Sequence, residues 1–181
     1  MIRFFSKYFL VALAICISAN FIQAQELTFD HGKVDFYTSS ILSDIEATSE
    51  EIDVQLDLTS GDVKIVIGIK TFEFEYEMMQ DHFNEEYMES EKYPNATFIG
   101  TIDQNLSDLV DKTEVNVTGE MTIHGVSKQI SFKSTLFKKD GYTVVKCKFP
   151  IVFKDYNVEE PSVLTKSVAT DVELKSTLYL K

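Results

Sequence analysis

The chain has 181 residues, with 17 Lys and Arg against 29 Asp and Glu and a formal net charge of −12. So acidic a surface repels phosphate backbones and anionic headgroups, which argues against nucleic acid as a partner and against electrostatic docking on a membrane. The length suits one domain with a sizeable core rather than two.

At the N-terminus, Arg3 and Lys7 precede the apolar run Phe9-Leu10-Val11-Ala12-Leu13-Ala14-Ile15-Cys16-Ile17, and a polar stretch ends at Gln23-Ala24-Gln25. This order of positive, apolar and small residues is that of a secretory leader, and the run is too short to span a bilayer. The expectation is a signal peptide at residues 1–24 and a single domain at residues 25–181, working in the periplasm or secreted. Loss of Arg3 and Lys7 makes the mature chain two charges more negative. Ile15 stands where a lipoprotein needs a small residue before its acylated cysteine, so Cys16 is read as part of the leader. Cys147 is then the one cysteine of the mature chain, which excludes an internal disulfide. Its parity with Val145 and Phe149 makes it a small core residue.

The dominant period after the leader is two. Ile52, Val54, Leu56 and Leu58 alternate with Glu51, Asp53, Gln55 and Asp57; Ser60-Gly61-Asp62 then turns the chain into Val63, Ile65, Ile67 and Ile69, the return strand of a hairpin. The next stretch changes period: Met79, Phe83 and Tyr87 stand four apart, which predicts a short helix over residues 78–88, ended before Pro94. Alternation resumes with Val115, Val117, Gly119, Met121 and Ile123, and Gly125 marks a turn. Ile130-Ser131-Phe132 continues, Asp140-Gly141 signals another hairpin, and residues 142–149 return. Residues 161–168 read as one helical turn before a last strand carrying Val172, Leu174, Ser176, Leu178 and Leu180.

Many antiparallel strands with one dry face and few helices to cover it fit a closed barrel or a two-sheet sandwich. The alternation alone does not choose between them. Nor does it decide whether the dry face packs on itself or surrounds a cavity. The chain has fourteen Phe, five Met and no Trp, and Met in particular suits an adaptable apolar surface.

Little in the sequence points to catalysis or a metal. His31, His82 and His124 are far apart and none stands in a metal-ligand spacing; there is no GxSxG and no glycine-rich phosphate loop. Glu85, Glu86, Glu89 and Glu91 read as a solvated acidic face. No enzymatic activity, metal or cofactor is expected.

Two motifs carry a family resemblance. The acidic, aromatic segment from Asp81-His82-Phe83 runs into Lys92-Tyr93-Pro94-x-Ala96-x-Phe98, and a strand enters Thr122-Ile123-His124-Gly125-Val126-Ser127-Lys128. Together they resemble the YceI-like family of secreted lipid-binding barrels over residues 33–181. Asp155-Tyr156-Asn157 also matches the family's late strand pattern, with Asn157 where a glycine is expected. The resemblance implies an all-β fold, an eight-stranded antiparallel lipocalin-like β-barrel with a short helical insertion. It also implies a polyisoprenoid or similar long apolar chain bound inside, with no stable membrane insertion; a homodimer is left open. The candidate lipid-binding residues are Ile67, Met79, Phe83, Tyr87, Met88, Tyr93, Phe98, Val117, Met121, Phe132 and Phe149. The helix face of Met79, Phe83 and Tyr87 should press onto the open end of the barrel. Tyr93 and Phe98 either line the mouth or pack the helix against it. His124 either bonds a turn carbonyl or contacts a lipid headgroup. The alternative is a non-enzymatic stress or interaction protein with a packed barrel and no bound lipid.

Overall fold

A computed structural model describes residues 26–39, 44–158 and 171–181. The expected leader and the helical turn at residues 161–168 lie outside the described residues. The elements in chain order are β1 (Glu26–Ser39), β2 (Asp44–Ser49), β3 (Ile52–Asp57), β4 (Asp62–Gly68), β5 (Glu73–Phe74), α1 (Glu77–His82), β6 (Asn95–Ile102), β7 (Thr113–Ile123), β8 (Val126–Lys139), β9 (Tyr142–Val152) and β10 (Asp171–Leu180).

The sheet runs β10-β9-β8-β7-β6-β4-β3-β1, and β10 pairs back onto β1. Eight antiparallel strands therefore close into a barrel, as the resemblance implies. β2 extends the wall along the second half of β1, pairing from Val34↔Ser49 to Ser39↔Asp44, and β5 edges β2. Residues 50 and 51 interrupt β2 and β3 and shift the inward set from Ala47 and Ser49 to Ile52, Val54 and Leu56. β1 makes the matching shift through an irregularity between Phe29 and His31, so that Leu27 and then Val34 and Phe36 all face in.

The hairpins follow from local chemistry. His124-Gly125 joins β7 to β8 and Asp140-Gly141 joins β8 to β9, each as a two-residue loop. Both residues of each loop have positive φ, at 50° and 73° and at 51° and 86°, the type I′ geometry whose twist suits paired strands. Asp57 shapes the β3–β4 turn by accepting bonds from the Thr59 and Ser60 amides at 2.7 and 3.1 Å. One expected strand residue falls elsewhere. Ile69 belongs to a 3₁₀ turn, Ile69–Thr71, rather than to the end of β4. Its amide bonds to the Pro94 carbonyl at 2.8 Å, so the chain turns there while Ile69 stays buried.

The expected helix appears as α1 continued by a π turn, Phe83–Tyr87, in which the Met88 amide reaches back to the Phe83 carbonyl at 2.9 Å. Glu89, at φ 43°, ends it before Pro94. Asn157 closes the 3₁₀ turn Phe153–Tyr156 in the left-handed region, φ 56° and ψ 26°. Asn tolerates that conformation better than most residues, which accounts for its standing where a glycine was expected.

Outward positions on β3 and β7 carry Asp53, Gln55, Glu114, Asn116, Thr118 and Glu120, all exposed, while Val115, Val117, Met121 and Ile123 face in. A charged outside and apolar inside is the reverse of a lipid-facing barrel wall. Among the described residues no helix is long and apolar enough to cross a membrane.

This parity yields a test. Val117→Glu should lower stability by about 3 kcal/mol or more, because a carboxylate cannot be buried unpaired without a large cost, whereas Glu120→Lys on the other face should leave the melting temperature within a few degrees. Equal losses by thermal denaturation would mean that the two faces had been misassigned.

Candidate functional site: the barrel lumen

The two ends of the barrel are closed by different means. At one end Leu56, Leu58, Leu136 and Leu180 are almost wholly buried. The loop between β6 and β7 folds onto them through the Leu106 amide, which bonds to the Leu58 carbonyl at 2.8 Å, and it buries Leu106 and Leu109. At the other end five phenylalanines meet. Phe83 from the π turn lies 5.7 Å from Phe36, 6.0 Å from Phe72 and 4.9 Å from Phe74 between ring centroids, and Phe36 stacks on Phe153 at 5.9 Å.

Between these ends the wall is apolar and incompletely filled. Val63, Ile65, Ile67, Phe132, Val145, Phe149 and Leu174 point inward yet remain only partly buried. The cavity they line has about 950 Å³ of atom-free space, opening included, of which about 110 Å³ lies far enough from every wall atom to take the centre of a water molecule. The enclosed room is thus smaller than the roughly 300–1,000 Å³ of ordinary small-molecule sites. The space between the walls is a narrow slot rather than a wide chamber.

The facing pair Gly100 and Gly119 makes room for an aromatic band across this slot. A Cβ on either would stand 2.7 or 2.8 Å from the tip of the Phe98 ring, so Phe98 lies over bare backbone. Its ring meets Phe132 at 5.4 Å, and Phe132 stacks on Phe149 at 4.2 Å with planes 15° apart.

Of the candidate residues, Ile67, Phe98, Val117, Met121, Phe132 and Phe149 border the cavity. Met79, Phe83, Tyr87, Met88 and Tyr93 do not. Phe83 and Met88 are buried in the closed end, Tyr87 packs against the core, and Met79 is half-buried on α1. Val63, Ile65, Val145, Leu174 and Leu178 also line the cavity; their strand parity marked them in the sequence, although no single residue stood out.

Tyr93 and His124 bring the two sequence motifs together outside the lumen. The Tyr93 ring lies across Gly125, where a Cβ would come within 2.6 Å of it, and meets the His124 ring edge-on at 4.4 Å. His124 Nε2 pairs with Glu89 Oε2 at 2.9 Å, and the Tyr93 amide bonds to the Glu89 carbonyl at 3.0 Å. The arrangement clasps the helical insertion onto the β7–β8 turn. Neither a turn carbonyl nor the lumen is the partner of His124 Nε2.

Polar groups in the lumen wall are satisfied within the wall. The Ser134 hydroxyl donates to the Lys146 carbonyl at 3.1 Å, and Cys147 Sγ and Ser176 Oγ are 3.0 Å apart. Burial pushes the Cys147 thiol above its ordinary pKa, against the smaller opposing effect of Ser176, so little thiolate forms at neutral pH. The described residues hold no group of three or more His, Cys, Asp or Glu placed to bind a metal. The lumen can therefore offer apolar contact and little else. Cys147 should react with iodoacetamide more slowly than a free thiol, and an apolar occupant of the lumen should slow it further. Alkylation followed by mass spectrometry checks this, and an unchanged rate with occupant present would place the occupant elsewhere.

The YceI-like domain profile matches residues 23–180. UPF0312 proteins of Pseudomonas putida are 27% identical over 96 residues, 50% of this chain and 48% of theirs, so the chain spans about half the length of the curated relatives it matches. Among solved structures, a polyisoprenoid binding domain from Saccharophagus degradans superposes with a TM-score of 0.76 at 16% identity, covering 86% of this chain and 97% of that one. BcnA of Burkholderia cenocepacia gives 0.69 at 22% identity, covering 82% and 95%. Identities this low establish a shared fold. With the profile spanning nearly all of residues 25–181 and both motifs seated in one clasp, the chain belongs to the YceI-like family.

Proposed function

We propose that the protein binds one long apolar chain, a polyisoprenoid or comparable lipid, inside its barrel, and that it shields this chain from water without chemically altering it. The observation that carries this reading is the set of inward-facing aliphatic and aromatic side chains left partly uncovered around the cavity between the two packed ends. Apolar surface left uncovered inside a protein forfeits both burial and dispersion contacts. A hydrocarbon chain supplies the missing contacts, and the walls offer no free polar group that would require a headgroup in the lumen. At roughly 0.3 kcal/mol per enclosed heavy atom, the strength of binding would follow the length of chain that the slot holds. The polyisoprenoid-binding neighbour from Saccharophagus degradans supports the choice of ligand class. The leader-like residues 1–24 support action after export, in the periplasm or outside the cell, where envelope lipids are within reach.

Native mass spectrometry of protein purified without detergent should show an added mass of one lipid per chain, identified by extraction. Ile65→Trp, which fills the slot from a half-buried inward position, should remove that mass while leaving the melting temperature within a few degrees. A bare wild-type protein that is destabilised by Ile65→Trp would favour a packed barrel acting as an interaction protein. N-terminal sequencing of exported protein should begin at or near Gln25. An intact N-terminus retained in the cytoplasm would remove the export reading.

A further inference from the structure

We infer that lipid passes into and out of the lumen sideways, through a seam in the barrel wall between β8 and β9, and that the stacked Phe132 and Phe149 rings are its latch. The inference rests on the lipid-binding reading above and adds the route. The β8–β9 ladder runs from Lys139↔Tyr142 only as far as Ser134↔Cys147. Beyond it β8 stays paired with β7 to Val126, and β9 stays paired with β10 to Val152. Residues 126–133 of β8 and 148–152 of β9 therefore have no ladder between them, and among the described residues no strand pairs with either of these edges, although the 3₁₀ turn Phe153–Tyr156 lies against β8. The β1–β3 ladder is also short, Glu26↔Asp57 to Thr28↔Gln55, but β2 takes up the pairing with β1 from Val34, whereas nothing takes up the pairing of β8 with β9 beyond Ser134 among the described strands.

The sequence supplies a cause. Pro150 keeps its place opposite Glu173 within an unbroken β9–β10 ladder, so its missing amide hydrogen falls on the β8 side. Ser134, at the last rung, spends its hydroxyl on the Lys146 carbonyl. Continued in register, the ladder would set Phe132 opposite Phe149. Their backbones do not pair, yet their rings stack at 4.2 Å, and both line the lumen. Side-chain contact thus takes the place of a backbone ladder along this stretch of wall. Rotating two rings costs far less than breaking a ladder or unpacking either end. The leucine end is buried nearly completely, and the phenylalanine end would have to lose contacts from β1, the π turn and the 3₁₀ turn at once.

The test uses the full chain on a Cys16→Ser, Cys147→Ser background, loaded with dansyl-farnesol, with release followed by fluorescence on dilution into acceptor vesicles. Gln129→Cys with Val152→Cys, both exposed and facing one another across the seam in continued register, joined by a short bis-maleimide, should slow release about tenfold or more, a barrier increase of about 1.4 kcal/mol. Lys70→Cys with Glu91→Cys, joined in the same way across an existing ion pair beside the helical insertion, should leave release within about twofold. In unlinked protein, Phe132→Leu should speed release more than Phe98→Leu, since both line the lumen but only Phe132 bridges the seam. Release unaffected by the seam link, slowed equally by both links, or accelerated equally by the two leucine variants would overturn the portal while leaving lipid binding intact. Failure of the unlinked background to take up the probe would overturn lipid binding and the portal with it.

Discussion

The pairing of β10 with β1 is the constraint on which the rest of the structure depends. Eight strands carry apolar residues on one face, and the chain has too little helix to cover that face as a second layer. Closing the sheet on itself buries it and removes the free edges that an open sheet would present. Closure also fixes the interior: a ring of eight strands leaves space that its own side chains can fill or leave for one small ligand. Here the ends are filled and the middle is not. Leucines pack one end, phenylalanines pack the other, and between them Gly100 and Gly119 let the Phe98 ring lie flat on the wall.

The helical insertion has a place in this arrangement that its amphipathic face alone does not convey. Phe83 and Met88 are buried at the end of the barrel, so the insertion works as a stopper. The clasp formed by Glu89, Tyr93, His124 and Gly125 holds the stopper to the β7–β8 turn. A packed end displaces the question of access to the wall, where the ladder between β8 and β9 stops at Ser134 and Cys147. The charged exterior is compatible with an apolar cargo because the two never meet: charge lies on the outward positions of strands whose other face lines the lumen.

Much of this was legible in the sequence, for physical reasons that can be named. Alternation over Ile52 to Leu56 and Val115 to Ile123 gave the correct inward set because each strand has one wet and one dry face. Gly125 and Gly141 gave their turns because two-residue hairpins need positive φ. Lys92-Tyr93-Pro94 and His124-Gly125 marked one structural unit, although their contact across the clasp could not be read from spacing. Three features were hidden. The end of β4 before Ile69 depends on the Pro94 carbonyl, a partner distant in sequence. The parity shifts in β1 and β2–β3 are compensating, and neither makes sense without its partner strand. Whether inward residues pack or leave space depends on how closely opposite walls approach, and alternation is identical in both cases; thus Met79, Tyr87 and Tyr93 looked as suitable for a ligand as Phe132 and Phe149. Pro150 was the one sequence signal of the seam, and its meaning required knowing which neighbour its missing donor faced.

The central claim, that a hydrocarbon chain occupies the lumen, is tested most directly by the dependence of affinity on chain length. Delipidated protein titrated with polyprenols of increasing length should bind about tenfold more tightly per added five-carbon unit, the gain expected at roughly 0.3 kcal/mol per heavy atom, until the slot is full and the affinity levels off. Substitution of Val117 or Ile65 by a larger side chain should bring the plateau to shorter chains. An affinity that is weak and independent of length, or that grows without limit, would contradict enclosure in the barrel.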